Sequence, residues 1–147
     1  MDSITQAALG AAVGEAILGR KLGWRGAAWG AFFGTLPDLD VLAAPWITEI
    51  QGLRWHRGLS HSILVILLAP LLFGPLLARL HRSRGLTAFT AANFVFWAWA
   101  THVLIDVFTG YGTQILEPFS SARISTSNFF IIDFFFLVPL LLGIFVC

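Results

Sequence analysis

Trp55-His56-Arg57-Gly58-Leu59-Ser60-His61-Ser62 stands directly before the apolar run from Ile63 to Leu77. Two histidines five residues apart thus sit at the mouth of a helix of membrane character. The other unusual polar residues fall at matching places. Asp38 and Asp40 close one apolar segment, His102 and Asp106 lie near the end of another, and Asp133 opens the last. If these positions converge, the chain builds a metal site into one face of a membrane bundle.

Composition supports that setting. Only 12% of the 147 residues are charged and 57% are hydrophobic, with a mean hydropathy of +0.80. Soluble domains carry about a quarter charged residues, so the chain groups with polytopic membrane proteins. No basic run rises out of a soluble segment, which disfavours nucleic acid as a partner. Cys147 is the single cysteine, so neither an intrachain disulfide nor a thiolate zinc cluster can form. The residues before Ile4 lack the basic region of a secretory signal, and the first apolar stretch reads as a retained helix.

The pattern predicts an all-α fold: a polytopic membrane helical bundle of about five helices, forming a single membrane-embedded domain over residues 1–147. The first two helices are expected to be short and glycine-rich. Helix one covers Ile4 to Gly19, with Asp2 or Ser3 as its cap. Gly10 and Gly14 on it face a second stripe, Gly26, Gly30 and Gly34, at spacings of four. Small residues at that spacing let helices approach closely in lipid, so a tight hairpin follows. Both helices fall below the roughly 20 residues of a full crossing, which leaves a re-entrant course open. Pro37-Asp38-Leu39-Asp40 ends helix two, and Trp46 and Trp55 suit the headgroup belt. Helix three runs from about Ser60 to Leu80, helix four from about Leu86 to Phe108, and helix five from Phe129 to Val146. A polar loop fills Thr109 to Asn128.

Charge placement then orients the chain. If all five helices cross, Arg20, Lys21, Arg25, Arg79, Arg82 and Arg84 share one side, and Arg54, Arg57 and Arg123 the other. The positive-inside rule puts the richer side in the cytoplasm. Asp2, Asp38, Asp40, His56, His61, His102, Asp106 and Asp133 then gather on the opposite, outer face.

His102 and Asp106 are four apart on a helix and share a face, so they can hold one ion together. Asp38 and Asp40 point the same way if their segment is extended. Gly58 permits a turn that brings His56 toward His61. A mixed nitrogen and oxygen set without sulfur suits zinc or manganese, in one or two ions. Asp40 or Asp106 is the candidate general base. Arg57, with Arg54 or Arg123, can grip a phosphate or carboxylate by paired hydrogen bonds. Each element also has a plainer explanation. The Pro-Asp-x-Asp box caps helices elsewhere, His56 can snorkel at the interface, and Asp133 can pair with Arg123 or Arg57. Ser60 is a possible nucleophile, though capping helix three explains it as well. Glu15 either pairs with Arg20 or Lys21 or, with helix one tilted, reaches the cavity floor; Glu15 and Asp133 are secondary candidates for the site. His81 sits among arginines on the other side.

Met1-Asp2-Ser3-Ile4-Thr5-Gln6-Ala7-Ala8-Leu9-Gly10, Leu36-Pro37-Asp38-Leu39-Asp40, His56-Arg57-Gly58-Leu59-Ser60-His61-Ser62, Thr101-His102-Val103-Leu104-Ile105-Asp106 and Tyr111-Gly112-Thr113-Gln114 together resemble the LexA-regulated, YdjM-like family of bacterial inner-membrane proteins. The resemblance spans nearly the whole chain. It implies a membrane-bound, metal-dependent hydrolase whose metal ligands correspond to Asp38, Asp40, His56, His61, His102 and Asp106. Many members carry a Thr-His pair where this chain reads Thr5-Gln6, and longer members continue past Cys147. The expected activity is hydrolysis of an ester or phosphoester in an amphiphilic, lipid or lipid-linked substrate at the outer face of the cytoplasmic membrane. The alternative is a non-enzymatic metal-binding scaffold, or a metal carrier or transporter.

Overall fold

The Asp2 carboxylate starts the first helix by accepting hydrogen bonds from the Thr5 amide (2.9 Å) and the Thr5 hydroxyl (2.6 Å). An amide in the first turn has no partner within its own helix, and this cap supplies one. The computed structural model describes residues 1–46, 48, 52, 56–128, 130 and 133–146. Among them are five α-helices and no strand: α1 (Ser3–Leu22), α2 (Trp24–Thr35), α3 (Ile63–Leu80), α4 (Ala88–Val107) and α5 (Phe134–Val146). Arg54, Trp55 and Cys147, singled out in the sequence, lie outside the described residues.

At 20 residues α1 is not short. Arg20 and Lys21 form its last turn instead of a loop, where cations complement the negative end of the helix dipole. Gly23 (φ +59°) is the single joint to α2, and only a residue without Cβ takes that conformation cheaply. The helices then close on their glycines. A Cβ on Gly30 would lie 2.7 Å from the Gly10 carbonyl carbon and 2.9 Å from Ala11 Cα. A Cβ on Gly34 would lie 2.6 Å from the Gln6 carbonyl oxygen. The hairpin is packed backbone to backbone.

After α2 the chain continues as a 3-10 segment, Leu36–Trp46, not as the extended piece expected around Asp38 and Asp40. Pro37 has no N–H to donate back to α2, and there the helical course tightens without breaking. A short 3-10 turn, Leu59–His61, leads into α3, whose cap is Ser62, accepting from the Val65 amide at 3.3 Å. Ser60, the expected cap, is turned to another use described below.

α3 and α4 are long and apolar enough to cross a membrane, and α5 is a shorter apolar helix. Leu67, Leu68, Leu71, Leu72 and Leu76 on α3 are each 51–71% exposed, forming an open apolar face. The opposite face of α3 packs on α4, where Gly74 meets Ala92, and α1 contacts α2, α4 and α5. Phe33 of α2 meets Phe73 and Phe94 edge-on at 5.5 Å, and Phe73 stacks on Trp99. Trp99 Nε1 donates to the Ser60 carbonyl at 2.9 Å. This bond ties the aromatic core to the turn that carries His61. From the other side, the loop after α4 is stitched over the same turn: the Gln114 amide donates to the Arg57 carbonyl, and the Ile63 amide to Ile115.

Candidate metal centre

Four side chains from three parts of the chain meet beneath that turn. Asp38 comes from the 3-10 segment, His61 from the entry to α3, and His102 and Asp106 from one face of α4. One ligand atom from each lies within 4.8 Å of all the others. His61 Nε2 is 3.3 Å from both Asp38 Oδ1 and Asp106 Oδ2, and His102 Nε2 is 3.5 Å from the same two oxygens. The two Nε2 atoms are 3.0 Å apart. His61, His102 and Asp106 are buried, and Asp38 nearly so.

The tautomers decide whether this donor set fits a cation. His102 Nδ1 is 2.6 Å from the Gly34 carbonyl oxygen. A carbonyl only accepts, so Nδ1 carries the proton and Nε2 of the neutral ring presents a lone pair. His61 Nδ1 faces the Ser60 hydroxyl at 2.9 Å. Asp38 Oδ1 and Asp106 Oδ2 have no hydrogen-bond partner among the described residues. With His102 Nε2 presenting a lone pair and two carboxylate oxygens unpartnered, a proton on His61 Nε2 can satisfy one contact at a time, whereas a cation satisfies them together. Histidine held through its other ring nitrogen by a carbonyl or hydroxyl is also how metal-binding imidazoles are fixed. The residues present therefore fit a divalent ion.

Asp106 is divided between two tasks. Its Oδ1 accepts from Arg57 Nη2 (3.1 Å), from Gln6 Nε2 (3.0 Å) and from the Met1 amino group. That leaves Oδ2 facing the histidines. Arg57 is 4% exposed and its Nη1 donates to the Thr109 hydroxyl at 2.8 Å. Its backbone is left-handed, φ +59°, a conformation costing a non-glycine residue roughly 1–3 kcal/mol. The conformation directs the Arg57 amide to Asp40 Oδ2 at 3.2 Å. Sequence reading placed the special turn at Gly58; the left-handed residue is its neighbour.

A second, more accessible group adjoins the first. Asp38, Asp40 and His56 also bring ligand atoms within 4.8 Å of one another, with His56 Nδ1 3.2 Å from Asp40 Oδ1. Beside it the half-buried Tyr111 ring lies between two guanidinium groups, Arg57 at 5.2 Å and Arg123 at 4.7 Å from the ring centre. Arg123 also donates to the His56 carbonyl at 3.2 Å.

Glu15 and Asp133 stand apart from both groups. Glu15 lines a cavity of about 460 Å³ between α1 and α5, with Ala12, Ala16, Pro139, Leu140, Gly143 and Ile144. Asp133 caps α5 by accepting from the Phe136 amide at 3.2 Å. His81 accepts from Trp29 Nε1 at 2.8 Å, also away from the centre. Sequence reading missed Gln6, Thr109, Tyr111 and the Gly34 carbonyl. Of these Gln6 left a trace as the residue standing where the resembling family has histidine, and Tyr111 as the first residue of one of the resembling motifs.

Electrostatics outside the helices of membrane length are consistent with strong coupling. Burial opposes the charge on Asp38, but the His102 and His61 imidazoles beside it outweigh burial and hold its pKa well below the usual 3.8. Burial likewise opposes protonation of His61, yet the Asp106 and Asp38 carboxylates beside it raise its pKa above 6.5. A depressed Asp38 contributes stability that is present above about pH 4 and is lost as pH falls through its folded value. A raised His61 contributes stability that is complete below 6.5 and is lost as pH rises through its folded value. Metal-stripped protein should therefore melt highest between about pH 4 and 6.5 and lose stability toward alkaline pH. Metal uptake should show the reverse trend, because ligation requires neutral histidine and releases protons. Thermal melts with and without chelator across that range check both signs; a stripped protein indifferent to alkaline pH would contradict the coupling.

Comparison with known proteins places the chain. The family model described as YdjM inner membrane protein matches residues 1–147, the whole chain. A Bacillus subtilis (strain 168) relative, described as uncharacterized protein YfhP, is 30% identical over 90 residues. The match covers 57% of this chain and 25% of that protein, so the chain spans only about a quarter of that relative's length. No solved structure matches the chain.

Proposed function

The chain belongs to the YdjM inner membrane protein family, and we propose that it is a membrane-bound, metal-dependent hydrolase. The substrate is an ester or phosphoester of an amphiphilic, lipid or lipid-linked molecule. The observation that carries this reading is the convergence of Asp38, His61, His102 and Asp106, one ligand atom of each within 4.8 Å of the others, with an oxygen of each carboxylate unpartnered among the described residues. Two imidazole nitrogens and two carboxylate oxygens favour zinc or manganese. A bound ion of this kind supplies Lewis acidity and makes water acidic enough to yield hydroxide near neutral pH.

The protein groups have separable tasks. Asp40 and Asp106 serve as ligands: Asp40 is partly exposed beside His56, with its Oδ2 accepting from the Arg57 amide, and the Oδ1 of Asp106 is already taken up by Arg57 and Gln6. Arg123, 4.7 Å from the Tyr111 ring centre, offers positive charge to a phosphate or carboxylate, whereas the Arg57 guanidinium is buried against Asp106 and Thr109. The apolar face of α3 is covered by lipid, and the five helices form one membrane-embedded bundle. The basic turns at Arg20–Arg25 and Arg79–Arg84 lie in the cytoplasm, which puts the site at the outer boundary of the inner membrane, within reach of lipid headgroups.

One observation favours a second reading. Four protein donors complete a tetrahedral shell, and filled shells are typical of structural metal sites, so a metal-stabilised scaffold is the rival. Purified protein in mixed micelles containing a lipid phosphomonoester, and separately a lipid carboxyl ester, distinguishes the two. Release of phosphate or fatty acid should stop with chelator and return with zinc or manganese. A protein whose metal removal lowers its melting temperature but which releases neither product would be the scaffold.

A further inference from the structure

We propose that the site holds two ions with divided roles, sharing Asp38: a buried ion that fastens the fold and an outer ion that carries the chemistry. This rests on the metal reading above and extends it to ion number and task.

The argument begins with donor counts. The buried group has four protein donors, enough to close a tetrahedral shell and leave no position for water. The group of Asp38, Asp40 and His56 has three, which is the pattern of a catalytic zinc site with its fourth position open. Access follows the same division. His61, His102 and Asp106 are 0–1% exposed at the side chain, whereas His56 is 32%, Asp40 17% and Asp38 13% exposed. The outer group is the more accessible to water and substrate. Tyr111 and Arg123 also lie on the outer side, against His56.

Asp38 belongs to both groups. A carboxylate with two oxygens is the usual bridge in paired-ion sites, where the ions stand about 3.5–4 Å apart. The chain invests in the outer group as well. The left-handed backbone at Arg57 is what presents its amide to Asp40. Strain of this kind persists where the surroundings enforce it, often at a functional site.

The two ions differ in what they fasten. The buried ligands come from the segment after α2, the entry to α3, and α4, so the inner ion cross-links three parts of the fold. The outer ligands come from the 3-10 segment and the His56 turn alone. Losing the outer ion should leave the fold intact.

Elemental analysis of purified protein saturated with zinc, then passed through a desalting column, should find two equivalents. His56→Ala should retain one, with a melting temperature close to wild type and hydrolysis reduced at least about 100-fold. Asp40→Asn should behave the same way, which guards against a folding defect peculiar to His56→Ala. Manganese-loaded wild type should give the electron paramagnetic resonance signature of a coupled pair, and both variants that of an isolated ion. One equivalent in wild type, unchanged in His56→Ala, would overturn the second ion, and the micelle assay would then separate a single-ion hydrolase from the scaffold. Two equivalents in both variants would overturn the assignment of the outer ligands. No metal in any form would sink this inference and the metal reading together.

Discussion

His102→Ala is expected to yield protein that has lost the buried ion held with Asp38, His61 and Asp106 and whose hydrolytic activity has fallen by well over 100-fold. Substitutions of groups that merely support a ligand cost about 10–100-fold, and His102 offers its own Nε2 to the centre. The change also removes the partner of the Gly34 carbonyl oxygen and leaves Asp38 and Asp106 facing each other with one imidazole fewer between them. Orphaning a buried polar group costs roughly 1–3 kcal/mol, so the variant should also melt lower. His102→Gln keeps a polar side chain and most of the volume; it should recover stability more than metal. Metal content by elemental analysis, alongside the melting curve, separates the two losses. Full metal occupancy in a folded His102→Ala protein would remove His102 from the ligand set.

Gly30→Ala should be the most damaging single methyl group in the chain. The added carbon would run into the Gly10 carbonyl group and press on Ala11 Cα. Neither obstacle is a side chain that can rotate away. Overpacking usually costs about 1–3 kcal/mol, and a collision of backbone with backbone belongs at or beyond the upper end. Separation of α1 from α2 would also draw Gln6 and the Gly34 carbonyl away from α4, so metal should be lost with the fold. Gly143→Ala on α5 is the control, since nothing lies within 4 Å of the new carbon there. The measurement is recovery of monodisperse protein and its melting temperature. A Gly30→Ala protein as stable as Gly143→Ala would mean that the helices are not seated on these glycines.

Some of this was legible in the chain. Helix periodicity is local, so the spacing of His102 and Asp106 was enough to put them on one face, and they are 3.5 Å apart. The glycine stripes followed from the same period. Other features depend on contacts between distant residues. Ser60 reads as a cap by its position, yet it faces His61 Nδ1 because Ser62 takes the cap. Gln6 reads as one more residue of a small-residue helix until α4 brings Asp106 to it, 100 residues away. The left-handed turn at Arg57 could not be read from a glycine next to it. Tyr111 acquires its two guanidinium neighbours only when the loop after α4 folds back over the His56 turn.

The bond from His102 to Gly34 gives one peptide carbonyl two allegiances. Gly34 belongs to the seam where α1 and α2 touch, and its oxygen sets the tautomer of a ligand on α4. Occupancy by a cation and closure of the hairpin are therefore thermodynamically reciprocal: each must favour the other by the same free energy. Fastener and lock share a part, so neither can be loosened or retuned in isolation.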